Sequence, residues 1–349
     1  MKRVDIKSLP LTDLELWVQE QGEPKYRAQQ LYQWMHEKQV DSLDAMSNIP
    51  DRLKQKIREQ CKFTVLEQLA CQVSKQDGTR KYLFALSDGN TVESVLMKYR
   101  HGYSVCISSQ VGCRMGCAFC ASSIGGFVRN LTPAEMLGQV YRVSADLGER
   151  VSNVVVMGTG EPLDNLRNLL VFLGMLTDEN GLHISQRSVT VSTCGLVPQM
   201  KELAREHLAI TLAVSLHAAD QATREEIMPV AKTWDLEALF DACAYYFEET
   251  GRRVTLEYCL IRGVNDTGRD SALLGGWIAN LNCHVNLIPV NPVREKNWHQ
   301  PGREQVLTFK NKLEKYGRNV TIRREMGRDI DGACGQLRKG YSERVKQQR

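Results

Sequence analysis

The chain has 349 residues, of which 42% are apolar and 25% charged, and 45 Lys and Arg against 41 Asp and Glu leave a formal net charge of +4. Such values fit a globular chain of about two domains with a large core, and they exclude a collagen-like, coiled-coil or wholly disordered polymer. No run reaches the ~18 apolar residues of a membrane span, and Met1 to Trp17 hold no apolar signal core, so a cytoplasmic chain with no membrane partner is expected.

Residues 1–75 read as a polar helical domain. Leu11–Trp17 opens one amphipathic helix and Tyr26–Met35 a second. Asp51–Cys61 makes a third, with Leu53, Ile57 and Cys61 on one stripe after the Ile49-Pro50 break. Residues 76–100 read as a β-hairpin connector. There Lys81–Leu86 and Thr91–Met97 flank Ser87-Asp88-Gly89-Asn90, and Asp-Gly between apolar runs is a strong turn signal. From residue 101 to 325 short apolar strands alternate with helices. The strands expected are Ser104–Ser108, Asn153–Met157, Ser188–Ser192, Thr211–Leu216, Val254–Ile261, Val285–Val290 and, last, Val320–Arg323. The helices expected are Pro133–Leu147, Asn165–Leu176, Leu236–Glu249, Ser271–Asn280 and Arg303–Tyr316. Repeated β-then-α order predicts a parallel sheet with right-handed crossovers. Six such units fit the length and eight do not. The fold class predicted is therefore α/β, an incomplete (β/α)6 barrel whose chemistry sits at the C-terminal strand ends. Residues 326–349 read as a C-terminal loop and a basic tail.

Eleven cysteines stand out in a chain expected to keep its thiols reduced. Most read as small buried hydrophobes. Cys113, Cys117 and Cys120 do not, because three thiols in eight residues directly after the first barrel strand can wrap one soft-metal centre. A structural zinc site and a ferredoxin-type cluster each take four protein ligands. Three ligands to a four-iron cluster leave one iron open to chelate the amino and carboxylate groups of a small molecule. A zinc site and three chance core cysteines remain as alternatives.

The spacing C-x3-C-x2-C, with Phe119 before the last Cys, resembles the signature of the radical S-adenosylmethionine (SAM) superfamily. Further segments agree in order with its RlmN family: Cys106–Cys113, Gly158-Thr159-Gly160-Glu161-Pro162-Leu163, Val214-Ser215-Leu216-His217, Asn291-Pro292 and Asp329–Leu337. Together they cover nearly the whole chain. Two positions depart from the pattern, Thr159 where the C2-methylating branch usually has Met and Gly332 where it usually has Ala.

The resemblance implies a radical SAM methyltransferase of adenine C2 in 23S ribosomal RNA and in the adenosine 3′ of the tRNA anticodon. It implies a [4Fe–4S] cluster on Cys113, Cys117 and Cys120, with two SAM consumed per turnover. Gly160, Glu161, Ser192, Ser215, Leu216, His217 and Asn291 would contact SAM. Cys334, in the turn Asp331–Gly335, would carry the methyl group as S-methylcysteine. One SAM would methylate that thiol and a second, cleaved reductively, would start radical transfer through a protein–RNA thioether. Cys106, by itself an ordinary buried strand cysteine, would resolve that thioether by a transient disulfide with Cys334. Glu93, by itself an ordinary exposed strand carboxylate, would accept the proton.

A flavodoxin-like reductant and a monomeric enzyme are expected. Arg318, Arg323, Arg324 and Arg328 before Cys334, and Arg338, Lys339, Arg344, Lys346 and Arg349 after it, suit an RNA partner, as do Arg52, Lys54, Lys56 and Arg58 in the helical domain. The alternatives are a Cfr-like enzyme acting at adenine C8 and, from other classes, a non-catalytic iron–sulfur RNA-binding or sensor protein and a colourless zinc-binding RNA module.

Overall fold

The computed structural model describes residues 3–100, 102–290 and 298–330, so Asn291 and Cys334 lie outside the described residues. The chain starts with β1 (Val4–Asp5), α1 (Leu11–Glu20), α2 (Tyr26–Tyr32), α3 (Asp51–Gln60) and β2 (Cys61–Lys62). Each helix buries one stripe, Leu14 and Val18 from α1, Ala28 and Leu31 from α2, and Leu53 and Ile57 from α3.

Next come β3 (Glu67–Val73), β4 (Arg80–Ala85), β5 (Thr91–Tyr99) and β6 (Gly102–Cys106). They form an antiparallel run, so the expected hairpin is the middle of a larger extension. β3 lies in the stretch read as helical. It sits at the edge of the sheet with most residues half-exposed, so its sequence shows no buried alternation.

A small antiparallel pair, β7 (Gln110–Gly112) and β8 (Phe127–Asn130), then brackets a loop. The remaining elements alternate: α4 (Pro133–Leu147), β9 (Asn153–Val156), α5 (Leu166–Thr177), β10 (Val189–Thr193), α6 (Val197–Arg205), β11 (Thr211–Ser215), α7 (Gln221–Ile227), α8 (Leu236–Thr250), β12 (Val254–Leu260), α9 (Gly268–Ile278), β13 (Cys283–Pro289), α10 (Arg303–Glu314) and β14 (Asn319–Ile322). Local signals set several ends. Thr132 and Glu135 form a reciprocal capping box ahead of α4, Pro133 occupies its first turn, and left-handed Gly148 ends it.

Among the described residues one ten-stranded sheet runs β14-β13-β12-β11-β10-β9-β6-β5-β4-β3. β6 and β9 to β14 are parallel and are joined by six β-to-β crossovers, the open (β/α)6 arrangement expected. Two helices were not anticipated, α6 and α7. One face of the sheet is apolar and buried against helices through Val105, Val154, Val156, Val191, Leu212, Val214, Leu256 and Leu287. No described helix is long and apolar enough to cross a membrane. After β14 the chain leaves the sheet, and its residues 327 and 329 hydrogen-bond to the turn between β3 and β4 at the opposite edge.

Candidate active site

The second face of the sheet carries the polar residues. Pairing aligns Lys81, Val95, Cys106, Val155, Thr190 and Thr211 in one row across β4, β5, β6, β9, β10 and β11. Side chains alternate along a strand, so Glu93, two residues from Val95, shares this face with Cys106. By the same register Ser192 and Ser215 lie on it too. The pairing of β5 with β6 thus puts Glu93 and Cys106 on diagonal positions of adjacent strands.

Glu93 is not an exposed strand carboxylate. It is 5% exposed, and its Oε2 lies 3.2 Å from Nζ of Lys81, whose side chain is fully buried. The two residues reach each other across the β4–β5 pairing, where Lys81 faces Val95 and Leu83 faces Glu93. The Glu93 carbonyl accepts from Ser108 Oγ at 2.8 Å, which ties β5 to the exit of β6.

Cys113, Cys117 and Cys120 sit on the loop that β7 and β8 bracket. Gly112 starts it with φ +77°, and a Cβ there would lie 1.9 Å from the Gly126 carbonyl oxygen, so only glycine fits. The Ala118 N–H donates to the Ile227 carbonyl at 2.8 Å. Ser123 Oγ donates to the carbonyls of Cys120 and Cys117 at 2.8 and 3.2 Å. Phe119 stands edge-on to His217 with ring centroids 4.7 Å apart, which packs the loop on the end of β11.

The donor set fits a cluster. Burial pushes the Cys113 thiol up to about 11 and raises Cys117 further, with the neighbouring cysteines adding to both. Thiols so placed ionise when a cationic centre compensates them. Among the described residues no three His, Cys, Asp or Glu groups converge on one point as ligands of a single ion. A four-iron cluster takes one thiolate per iron and needs no such convergence.

Arg224, which no sequence signal singles out, adds a cation beside this loop. It is 1% exposed, and its guanidinium donates to the carbonyls of Cys194, Leu216 and Trp234 at 3.0, 3.2 and 3.4 Å. Burial pulls its pKa down, and the thiols of Cys194 and Cys117 oppose that pull. It staples the exits of β10 and β11 together.

Gly158-Thr159-Gly160-Glu161 leaves β9. Its glycines allow close packing against protein. A Cβ on Gly158 would lie 2.7 Å from the Ile107 carbonyl oxygen, and one on Gly160 would lie 2.6 Å from Gln110 Cβ. The turn is thereby docked on the β6–β7 connection. Glu161 is buried, and its carboxylate accepts from the N–H groups of Cys194 and Leu163 at 2.7 and 3.0 Å. Burial raises its pKa and those two amides oppose the rise. The Cys194 and Thr193 side chains hydrogen-bond to the same carboxyl group.

Ser192 Oγ donates to the Val156 carbonyl at 2.9 Å. Leu216 is buried, with its N–H donating to the Glu257 carbonyl at 3.0 Å. His217 has φ +59°, and its Nδ1 accepts from the Cys259 N–H at 2.9 Å, so in the neutral ring the proton sits on Nε2. Burial lowers its pKa to about 3, with the Arg224 cation adding to that. On the same face Glu257, Asn286, Thr321 and His284 form a hydrogen-bonded chain across β12, β13 and β14 at 2.9, 3.1 and 2.9 Å. Its signal was polar residues at every second position of otherwise apolar strands.

The expected RNA-facing cations divide. In the helical domain Lys54 pairs with Asp51, Lys56 donates to the Gln21 carbonyl and Arg58 pairs with Asp44, which leaves Arg52 exposed. Arg318 donates to the carbonyls of Ile278 and Ala279, and Arg328 pairs with Glu325. Arg324 joins Lys98, Tyr99 and Arg100 around a surface cleft. All ten cysteines among the described residues are free thiols.

Comparison with known proteins agrees with this geometry. A family model described as the radical SAM superfamily matches residues 107–273. A second, described as the ribosomal RNA large subunit methyltransferase N-terminal domain, matches residues 4–63. The chain is 58% identical over 341 residues to a Lachnospira eligens protein named probable dual-specificity RNA methyltransferase RlmN, covering 98% of this chain and 97% of that one. A protein of the same name from Lachnoclostridium phytofermentans is 52% identical over 344 residues, covering 99% and 97%. The crystal structure of a radical SAM methyltransferase from Sphaerobacter thermophilus superposes with a TM-score of 0.91 at 39% identity, covering 95% of this chain and 98% of that one. With the cysteine loop, the open barrel and relatives matched over nearly their full length, this chain belongs to the RlmN family of the radical SAM superfamily.

Proposed function

We propose that this enzyme methylates C2 of an adenosine in 23S ribosomal RNA and C2 of the adenosine 3′ of the tRNA anticodon. Cys113, Cys117 and Cys120 would hold a [4Fe–4S] cluster, with Gly160, Glu161, Ser192, Ser215, Leu216, His217 and Asn291 around SAM. Bound there, the cluster supplies one-electron cleavage of SAM, the radical chemistry that a non-nucleophilic ring carbon requires. Cys334 carries the methyl carbon and joins it to the base as a thioether. Glu93 takes the proton from adenine C2 as the adduct radical gives up one electron, which balances the electron spent in cleaving SAM. The Cys106 thiolate attacks the Cys334 sulfur, the carbon–sulfur bond breaks, the freed carbon picks up a proton to become methyl, and a Cys106–Cys334 disulfide is left for an external thiol to reduce. Electrons reach the cluster from a flavodoxin-like donor.

The observation that supports this most is the placement of Glu93 and Cys106 on diagonal positions of one sheet face. A base and a resolving thiol that act on the same adduct need that proximity. Lys81 beside Glu93 fixes the direction of its carboxyl group. The test is Cys106→Ala incubated with SAM, reductant and unmodified RNA. A covalent enzyme–RNA adduct should accumulate. Release of methylated RNA at the normal rate would remove Cys106 from the mechanism.

A further inference from the structure

Arg224 is a buried cation that meets no carboxylate among the described residues. Its guanidinium donates to main-chain carbonyls, those of Cys194, Leu216 and Trp234. The charges that act on it are the thiols of Cys194, Cys117 and Cys243. Lys81, as deeply buried, has Glu93 at 3.2 Å. Taking a guanidinium out of water is costly, and buried charges are as a rule paired. Carbonyls can be bridged by a neutral amide, so stapling β10 to β11 does not by itself call for a charge. The fold sets this cation behind the cysteine loop. α7 carries Arg224, and three residues on, the Ile227 carbonyl takes the Ala118 N–H at 2.8 Å. Gly116 faces Pro229, just past α7, where a Cβ on the glycine would lie 3.6 Å from Pro229 Cγ. The loop is thus seated on α7 and the turn after it by the residues on both sides of Cys117.

We propose that Arg224 is the fixed counter-charge of the cysteine loop, a buried cation that makes a cluster held there easier to reduce and so sets the potential at which SAM cleavage can begin. The inference rests on the reading of Cys113, Cys117 and Cys120 as cluster ligands. Three thiolates around a four-iron cluster make an anion, and one further electron makes it more negative. A low-dielectric pocket opposes that added charge unless a cation lies near. Arg224 touches no reacting atom and acts through the loop that α7 supports. A unit charge within about 10 Å, at an effective dielectric of ~20, biases a one-electron equilibrium by about tenfold. Removing the charge should therefore lower the ratio of reduced to oxidised cluster about tenfold at a fixed ambient potential, a shift of about −59 mV.

The test is a redox titration of the full chain, reconstituted without oxygen and with no SAM or RNA added. Dithionite supplies the electron, and electron paramagnetic resonance reads the reduced cluster. At the potential where wild type is half reduced, Arg224→Gln keeps amide donors for the carbonyls and should show the tenfold lower ratio. Arg224→Lys keeps the charge and should stay within threefold of wild type. Both variants lose part of the staple, so a merely structural role would lower the melting midpoint of both and leave the ratio unmoved. A ratio in Arg224→Gln within twofold of wild type, or equal falls in both variants, would overturn the proposal. So would a shift that appears only after SAM is added, which would make the SAM carboxylate the partner. If Arg224→Gln binds less than half the wild-type iron, the comparison passes to iron content, which Arg224→Lys should restore; equal loss in both would overturn the proposal. A wild-type chain that binds no iron would remove the cluster reading itself, whereas a cluster indifferent to Arg224 removes the counter-charge alone.

Discussion

Replacing Lys81 with Met removes the ammonium but keeps a stem of similar length, and it leaves Glu93 buried without its cation. The pair is buried on both sides, Lys81 at 0% and Glu93 at 5% exposure, so water cannot replace the lost partner. Breaking one side of such a pair costs about 3–5 kcal/mol. Unfolding entropy of ~2.1 cal/mol/K per residue over 349 residues gives about 0.7 kcal/mol/K, so the melting midpoint should fall by about 4–7 °C. Glu93→Gln removes the carboxylate charge beside the buried Lys81 and should cost a similar amount. The double variant carries no unpaired charge and should lose much less than the sum, with a coupling of about 1–3 kcal/mol. Thermal or urea unfolding of the cofactor-free chain reads all four species. Single variants that melt within 1 °C of wild type, or strictly additive losses, would refute the pairing and with it the argument that Lys81 orients the base.

Other expectations follow from particular contacts. Cys113→Ser should lose most of the about four irons per chain and the brown colour of anaerobically purified protein; retained iron would remove Cys113 from the ligand set. His36 is fully buried, its Nδ1 lies 2.7 Å from Tyr141 Oη, and burial with the Lys7 charge lowers its pKa to about 3. Its neutral form therefore adds stability above pH 6.5 that is lost as pH falls toward 3, so the cost of His36→Gln should shrink by about 2 kcal/mol between pH 7 and pH 5. A cost independent of pH would refute this. Gly112→Ala forces a side chain into left-handed backbone and onto the Gly126 carbonyl. It should destabilise by at least about 1–2 kcal/mol and loosen the cysteine loop; an unchanged denaturant midpoint would contradict it.

The parallel sheet was legible because its strands are buried on the helix side by β-branched runs such as Val154–Val156 and Val189–Val191, cut by helix-length segments. β3 was not, since Glu67–Val73 sits half-exposed at the sheet edge and shows no periodicity. α6 begins at Val197-Pro198, where proline reads as a break although the first helical turn accepts it. The cysteine loop was legible through local spacing, the kind of signal that three cysteines in eight residues provide. The burial of Glu93 was not, because its partner Lys81 arrives through strand pairing. Arg224 and the contacts of Gly327 and Asp329 with the β3–β4 turn were invisible for the same reason: their partners are brought together only by the fold. The packing of Gly158 on Ile107 and of Gly160 on Gln110 was not legible either, since sequence shows where a side chain is missing and not what fills the space.

The most direct test of the account is the identity of the modified base. Protein purified and reconstituted without oxygen is incubated with SAM, a reductant and unmodified ribosomal and transfer RNA, and the digested RNA is analysed by mass spectrometry. The account predicts 2-methyladenosine in both RNAs, lost in Cys334→Ala. The appearance of 8-methyladenosine instead, or of no methyladenosine from a protein that still cleaves SAM, would contradict it.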